Sequence, residues 1–211
     1  MKVAFFGDSL TVGEGNKNIS FADLAFRDAT RIKLCESGST VGEYSIYPVD
    51  GNSLLSKLYQ NVIDIKNFDL IVLEYGVNDA SAVLAENATY RKVILSVIKA
   101  LDFIKQNSNA KVMWLRPFLP FSFYSSNQVS YVFNEYCKGI FTSHREDWAH
   151  IFNDFYNDIC EIVPVIVGID SESVLQSVIV KDKIHINMNG HKILAKKLEK
   201  AYENLFCANH G

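Results

Sequence analysis

Five short, largely apolar runs recur along the chain, and segments of helical periodicity separate them. A run with few polar interruptions is typical of a strand that is buried on both faces, as strands are in a parallel sheet. The alternation of such runs with helices therefore predicts an α/β fold. The predicted strands are Lys2–Phe6, Leu34–Glu36, Leu70–Tyr75, Val112–Leu115 and Val165–Ile169.

Apolar residues spaced three and four positions apart predict the helices between these strands. The predicted helices are Phe21–Ile32, Ser53–Ile65, Tyr90–Lys105, a long segment over 127–162 that breaks near Thr142, and a closing helix that carries Leu194 and Leu198. Repeated βα units predict a three-layer α/β/α fold, in which helices cover both faces of a five-stranded, mostly parallel sheet. Because no linker or repeat interrupts the pattern, we expect a single domain over residues 1–211.

Composition and charge exclude several classes of protein. Hydrophobic residues make up 48% of the 211 positions, which suffices for a core without disulfides. The net charge is −3, and acidic and basic residues are interspersed, whereas a nucleic-acid or membrane-surface binder would carry a basic face. No apolar run approaches the roughly 18 residues of a membrane span. The apolar run after Lys2 is too short for a signal peptide, so we expect a cytoplasmic protein of undetermined oligomeric state.

Polar and glycine residues with catalytic potential follow the predicted strands. They are Gly7–Leu10 after the first strand, Ser37-Gly38 after the second and Gly76–Asp79 after the third, and Asp182–His185 lies near the end of the chain. In open parallel sheets, ligands bind beyond the carboxyl ends of the strands. These pieces are therefore expected to converge at one edge of the sheet.

The converging residue types suit acyl transfer. A serine hydroxyl such as that of Ser9 becomes a good nucleophile when a neighbouring base takes its proton. His185 is the candidate base, and Asp182 could hold the other ring nitrogen of His185 and stabilise the imidazolium. Because these two residues are only three positions apart, one turn of the chain can deliver both.

Acyl transfer also requires donors for the oxyanion of the tetrahedral intermediate. The backbone N–H groups of Ser9 and Gly38 and the side-chain amide of Asn78 are the candidate donors. A glycine at position 38 has a physical rationale, since a residue without Cβ lets the backbone approach a ligand closely.

These blocks resemble, in the same order, the four sequence blocks of the SGNH (GDSL-type) hydrolases. The resemblance covers residues 5 to 191 and implies a flavodoxin-like α/β/α fold with metal-free esterase or lipase chemistry. It also implies that Ser9 is the nucleophile, that Gly38 and Asn78 are oxyanion donors, and that Asp182 and His185 complete the triad. The second block departs from the family pattern, because Cys35–Ser37 stands where many members carry Asn before the glycine. Gly42 is the alternative to Gly38.

Two aromatic segments follow strands at the same predicted edge. One is the loop after Leu115, and the other follows the second strand. They are expected either to rim an acyl or sugar pocket or to pack as ordinary core. The candidate rim residues are Tyr44, Tyr47, Phe118, Phe121 and Phe123.

The interpretation that these observations favour is a metal-independent serine esterase without a cofactor. It would remove a small acyl group, such as acetyl, from a carbohydrate or another small-molecule ester through an acyl-enzyme. Short acyl chains are expected because no long apolar lid segment is evident. An acyltransferase with the same triad and a non-catalytic carbohydrate-binding module are the alternatives. A metal-dependent phosphoesterase is disfavoured, since the chain lacks an upstream Asp-x-His and a His after Asn78.

Overall fold

The central sheet of the computed structural model has five strands, and every pairing between them is parallel. The strands are β1 (Lys2–Gly7), β2 (Thr30–Cys35), β3 (Leu70–Glu74), β4 (Lys111–Phe118) and β5 (Val165–Ile169). Their order across the sheet is β2-β1-β3-β4-β5. The structure describes residues 1–46, 52–60, 64–119, 145–180 and 184–207.

This strand order is that of the flavodoxin-like doubly wound folds, and it confirms the predicted fold class. The order reverses at β1, which lies between β2 and β3. Gly7, the last residue of β1, pairs with Cys35 of β2 and with Glu74 of β3. The segments that leave these three strands therefore begin side by side at the carboxyl edge of the sheet.

The helices form two groups, as expected for layers on either side of a sheet. One group contains α8, which packs against β5, α2 and α7; in the other, α3 packs against α5, and α4 and α5 pack against α6. The helices are α1 (Ser9–Val12), α2 (Phe21–Leu24), α3 (Leu54–Tyr59), α4 (Val77–Leu84), α5 (Tyr90–Asn107), α6 (Arg145–Ile159), α7 (Glu172–Val178) and α8 (Met188–Tyr202). A 3₁₀ turn (Ile65–Asn67) and a terminal π-helical turn (Glu203–Cys207) complete the described elements.

The predicted helix over Phe21–Ile32 is too long. A capping box begins the helix, because Ser20 and Asp23 bond reciprocally at the start of α2. The helix nevertheless ends at Leu24, and Thr30–Cys35 forms β2 instead. Pairing with β1 overrides the local helical pattern, since strand pairing depends on a distant part of the chain.

Other differences from the predictions concern short elements and boundaries. The sequence did not predict α4 or α7, which have only eight and seven residues and show too few turns for a clear periodicity. Strand β4 extends three residues beyond its predicted end at Leu115. The predicted break near Thr142 lies outside the described residues, and α6 begins at Arg145.

The core lies on both faces of the sheet. All five residues of β3 are buried, and so are the five residues of β1 that follow Lys2. Burial on both faces explains why these strands read as continuous apolar runs in the sequence. Within the described ranges, no helix combines the length and apolar character needed to cross a bilayer.

Candidate active site

Ser9 lies directly beyond the carboxyl end of β1, as its position in the sequence predicted. Asp8 caps α1 by accepting a hydrogen bond from the Leu10 N–H at 3.0 Å, and Ser9 is the first residue of that helix. A Cβ at Gly7 would lie 2.9 Å from the Glu74 carbonyl oxygen and would overlap Thr11. Only glycine allows the chain to turn this tightly, and the turn places the half-buried Ser9 side chain at the edge of the sheet.

The structure brings His185 to Ser9 from the opposite end of the chain. The His185 Nε2 lies 2.8 Å from the Ser9 Oγ, within hydrogen-bond distance. An antiparallel bridge holds the His185 backbone: Val180 N–H donates to the His185 carbonyl at 2.8 Å, and Asn187 N–H donates to the Val178 carbonyl, also at 2.8 Å. The serine hydroxyl and the imidazole thus have the geometry of a nucleophile and its general base.

Asp182 lies outside the described residues, which resume at Ile184. Its assignment as the partner of the other His185 ring nitrogen stays a prediction.

Gly38 lies in the loop that follows β2. Its φ is +77°, a left-handed conformation that favours glycine. The next residue, Ser39, accepts a hydrogen bond from Asn78 through its carbonyl at 3.2 Å. The alternative candidate Gly42 has another role, because a Cβ there would lie 2.5 Å from the Tyr44 ring. Close packing accounts for a glycine at position 42, and the assignment of Gly38 as an oxyanion donor stays a prediction.

Asn78 lies in the first turn of α4, where β3 ends, and it is buried. Its Nδ2 donates to Asp8 Oδ2 at 2.9 Å and to the Ser39 carbonyl at 3.2 Å. An amide nitrogen carries two hydrogens, so both have acceptors in this structure. The amide therefore links the turn after β1 to the loop after β2.

Two buried carboxyl groups lie behind Ser9. Glu74 accepts a hydrogen bond from the Thr11 hydroxyl at 2.9 Å and neighbours Asp8. Burial, followed by the negative charge of Asp8, raises the pKa of Glu74 well above its ordinary value. Burial also raises the pKa of Asp8, while hydrogen bonds from Leu10 N–H and Glu74 lower it. Glu74 was not among the predicted site residues, although a lone carboxylate at the end of an apolar strand is visible in the sequence.

Asp79 supports the neighbouring loop from α4. Its Oδ1 accepts hydrogen bonds from the Val41 N–H at 2.9 Å and from the Tyr44 hydroxyl at 2.8 Å. Burial raises the pKa of Asp79 to about 7, although these two hydrogen bonds act in the opposite direction. Asp79 thus holds the loop after β2 against α4.

The structure places two of the five candidate rim residues in the core. Tyr44 is 6% exposed and bonded to Asp79, and Phe118 is 1% exposed and stacked on Phe152. These two rings are therefore packing residues, because a rim residue must offer surface to a ligand. Tyr47, Phe121 and Phe123 lie outside the described residues.

Glu14 also lies at this site, and it was not among the predicted residues. Its Oε2 lies 3.2 Å from the His185 Nε2, and its Oε1 accepts a hydrogen bond from the Ser37 hydroxyl. The side chain is 40% exposed. Five positions after Ser9, beyond a four-residue helix, Glu14 has no sequence signal that links it to a residue 171 positions away.

No group of three or more His, Cys, Asp or Glu side chains within the described ranges is arranged to hold a metal ion. The chemistry that the described residues themselves offer is nucleophilic attack by a serine with a histidine as proton acceptor.

A doubly wound parallel sheet that brings a serine hydroxyl and an imidazole together beyond β1 is the arrangement of an α/β ester hydrolase. The chain belongs to the GDSL-like lipase/acylhydrolase family, whose model matches residues 3–198. This confirms the resemblance to SGNH hydrolases. No curated protein matches the sequence.

Solved structures show the same fold at low sequence identity. A protein from Lactobacillus plantarum is 21% identical, with a TM-score of 0.64 and 97% of each chain covered. The lipase Lip_vut3 from the goat rumen metagenome is 17% identical, with a TM-score of 0.65 and coverage of 95% of this chain and 97% of that chain. A carbohydrate acetylesterase family member from Sinorhizobium meliloti is 18% identical, with a TM-score of 0.61 and coverage of 97% of this chain and 98% of that chain.

Proposed function

We propose that this protein is a metal-independent serine esterase that removes a small acyl group from a carbohydrate or another small-molecule ester. The observation that carries the proposal is the 2.8 Å contact between the Ser9 Oγ and the His185 Nε2. A serine needs such a base because its hydroxyl is only weakly nucleophilic at neutral pH.

In the proposed reaction, the Ser9 Oγ attacks the ester carbonyl carbon while its proton moves to the His185 Nε2. The tetrahedral intermediate then expels the alcohol oxygen, which takes the proton from Nε2, and an acyl-enzyme remains on Ser9. Water attacks the acyl-enzyme, gives its proton to Nε2, and that proton returns to Ser9 as the acid leaves. Asp182 is proposed to hold the His185 ring and to stabilise its charged form.

The proposed oxyanion donors are the backbone N–H groups of Ser9 and Gly38 and the amide of Asn78. As the first residue of α1, Ser9 has an N–H without an acceptor inside the helix. Asn78 can contribute if it releases its longer bond, the 3.2 Å contact to the Ser39 carbonyl, while Asp8 keeps hold of the other hydrogen. Loss of one such donor typically raises the barrier by about 3–4 kcal/mol.

Two considerations support a small acyl group on a hydroxylated alcohol. The sequence shows no long apolar lid segment that would cover a fatty chain. One protein of the same fold, from Sinorhizobium meliloti, is described as a carbohydrate acetylesterase family member. We therefore propose acetyl esters of sugars or polyols as the first substrates to test.

The test compares wild type with Ser9→Ala on nitrophenyl esters of increasing chain length and on acetylated sugars. We expect the substitution to lower kcat/KM by at least about a thousandfold, because the nucleophile is lost and only binding and the oxyanion donors remain. A fluorophosphonate should label wild type but not Ser9→Ala, and a chelator should leave the activity unchanged.

Three outcomes would contradict parts of this proposal. Activity that survives Ser9→Ala would overturn the mechanism, and inhibition by a chelator would overturn metal independence. A strong preference for long acyl chains would overturn the proposed substrate class while leaving the mechanism intact.

A further inference from the structure

The carboxylate of Glu14 lies beside the His185 Nε2, which is the atom that exchanges the proton in the proposed reaction. Gly13, with φ +94°, ends α1 and turns the chain back, so that the Glu14 N–H donates to the Ser9 carbonyl at 3.0 Å. This turn brings the Glu14 Oε2 to 3.2 Å from the His185 Nε2. The Ser37 hydroxyl donates to the other carboxylate oxygen and fixes its orientation.

We propose that Glu14 determines specificity on the alcohol side of the ester: it accepts a hydrogen bond from a neutral, hydroxyl-bearing alcohol and rejects an anionic one. The inference rests on the proposed function, because it assumes that Ser9 and His185 carry out the ester cleavage.

The position of the departing alcohol follows from the proton transfer. Its oxygen takes a proton from Nε2 and must therefore lie within about 3 Å of that atom. Glu14 Oε2 lies 3.2 Å from the same nitrogen. The alcohol oxygen and Glu14 are thus neighbours on the same ring nitrogen, and the carbons next to that oxygen lie within reach of the carboxylate.

The chemistry of a carboxylate determines which alcohols it favours. An ionised carboxylate only accepts hydrogen bonds, so a second hydroxyl on the alcohol can donate to it. A carboxylate or phosphate on the alcohol would place two negative charges close together. The Glu14 side chain is 40% exposed, so solvent weakens this repulsion but does not remove it.

The experiment uses two phenyl acetates of similar shape and different charge, 3-(hydroxymethyl)phenyl acetate and 3-carboxyphenyl acetate. The measured quantity is the ratio of kcat/KM for the neutral ester to that for the anionic ester. We expect wild type to prefer the neutral ester and Glu14→Gln to lower this ratio about five- to tenfold. High salt should lower the ratio in wild type but have little effect in Glu14→Gln.

Two further variants separate charge at the site from other effects. Ser37→Ala removes the hydroxyl that orients Glu14 but keeps the carboxylate and its charge, so the ratio should fall only part of the way from the wild-type value toward that of Glu14→Gln. Glu36→Gln removes an exposed negative charge two residues before Gly38 and should leave the ratio unchanged.

The possible results distinguish this proposal from the proposed function. If Ser9→Ala abolishes cleavage of both esters but Glu14→Gln leaves the ratio unchanged, the specificity role is wrong and the esterase stands. A uniform loss of activity on both esters in Glu14→Gln would also overturn it, since Glu14 would then only stabilise the imidazolium. An equal change of the ratio in Ser37→Ala would assign the effect to the loop. If both esters are cleaved without Ser9, the proposed function itself fails.

Discussion

Burial determines the protonation of the acidic side chains behind Ser9. Glu74 has no exposed surface, and Asp8 is 1% exposed. Two carboxyl groups this close and this buried cannot both ionise without a large cost, so they share one proton. Burial and the charge of Asp8 raise the pKa of Glu74, and we therefore expect Glu74 to be the neutral partner, with its proton directed toward Asp8.

A neutral Glu74 makes Glu74→Gln a mild substitution and Glu74→Ala a severe one. Gln can still accept from Thr11 and donate to Asp8, so we expect the free energy of unfolding to change by less than about 1 kcal/mol at pH 6. Ala leaves a cavity and unpaired partners, and should cost about 3 kcal/mol. Urea denaturation measures both values.

The pH dependence of Glu74→Gln provides a second readout. A raised pKa means that folded Glu74 keeps a proton that the unfolded chain releases, so wild-type stability falls as pH rises above about 4.5. The Gln variant should therefore gain stability relative to wild type between pH 5 and pH 8. If Gln is as damaging as Ala at every pH, position 74 requires a carboxylate and the assignment is wrong.

At the scale of elements, the start of α8 positions His185, the proposed general base. Asn187 caps this helix by accepting hydrogen bonds from Asn189 N–H at 2.9 Å and from Gly190 N–H at 3.2 Å. The same residue closes the antiparallel bridge that holds the backbone around His185. The helix cap and the imidazole are thus two residues apart on one hydrogen-bonded segment.

This arrangement predicts that Asn187→Ala affects both stability and catalysis. The lost cap should cost about 1 kcal/mol of stability, and movement of His185 should lower kcat. Thr89→Ala is the matched control, because Thr89 caps α5 by accepting from Lys92 N–H at 3.2 Å. It should cost similar stability and leave kcat unchanged. Equal kcat values in the two variants at matched stability would show that the cap does not position His185.

At the scale of the whole molecule, a buried histidine ties stability to pH. His191 of α8 has no exposed surface, and its Nδ1 accepts a hydrogen bond from the Phe21 N–H of α2 at 3.3 Å. Burial, aided by the charge of His185, lowers the pKa of His191 from 6.5 to about 4. Between these values the unfolded chain binds a proton that the folded chain does not, so stability falls as pH decreases from 6.5 toward 4.

Replacement of His191 should reduce this loss of stability at acidic pH. The shift corresponds to about 3 kcal/mol over the window, and His191→Asn removes the titrating group while keeping an acceptor near Nδ1. Unfolding free energies at pH 4, 5, 6 and 7 measure the slope. His150→Asn, at an exposed position of α6, is the control for the substitution itself. An unchanged slope in His191→Asn would mean that other groups cause the acid instability.

The predictable part of the site consists of short motifs at strand ends. Ser9, Gly38 and Asn78 each follow a predicted strand within a few residues, so a parallel sheet is enough to bring them to one edge. His185 was predicted from its chemistry, and the structure places its Nε2 2.8 Å from the Ser9 Oγ. Glu14 was not predictable, because its role depends on the turn at Gly13 and on the distant position of His185.

By itself, the sequence determined the fold class and the types of residue that lie at the carboxyl edge of the sheet, because buried strands and tight turns leave strong local patterns. Only the tertiary structure decided the extent of β2, the burial of Tyr44 and Phe118, and the contacts of Glu14 and Glu74. These features depend on strand pairing and on packing between residues far apart in the chain. Local periodicity carries no information about such contacts, since their free energies arise only when the sheet has formed.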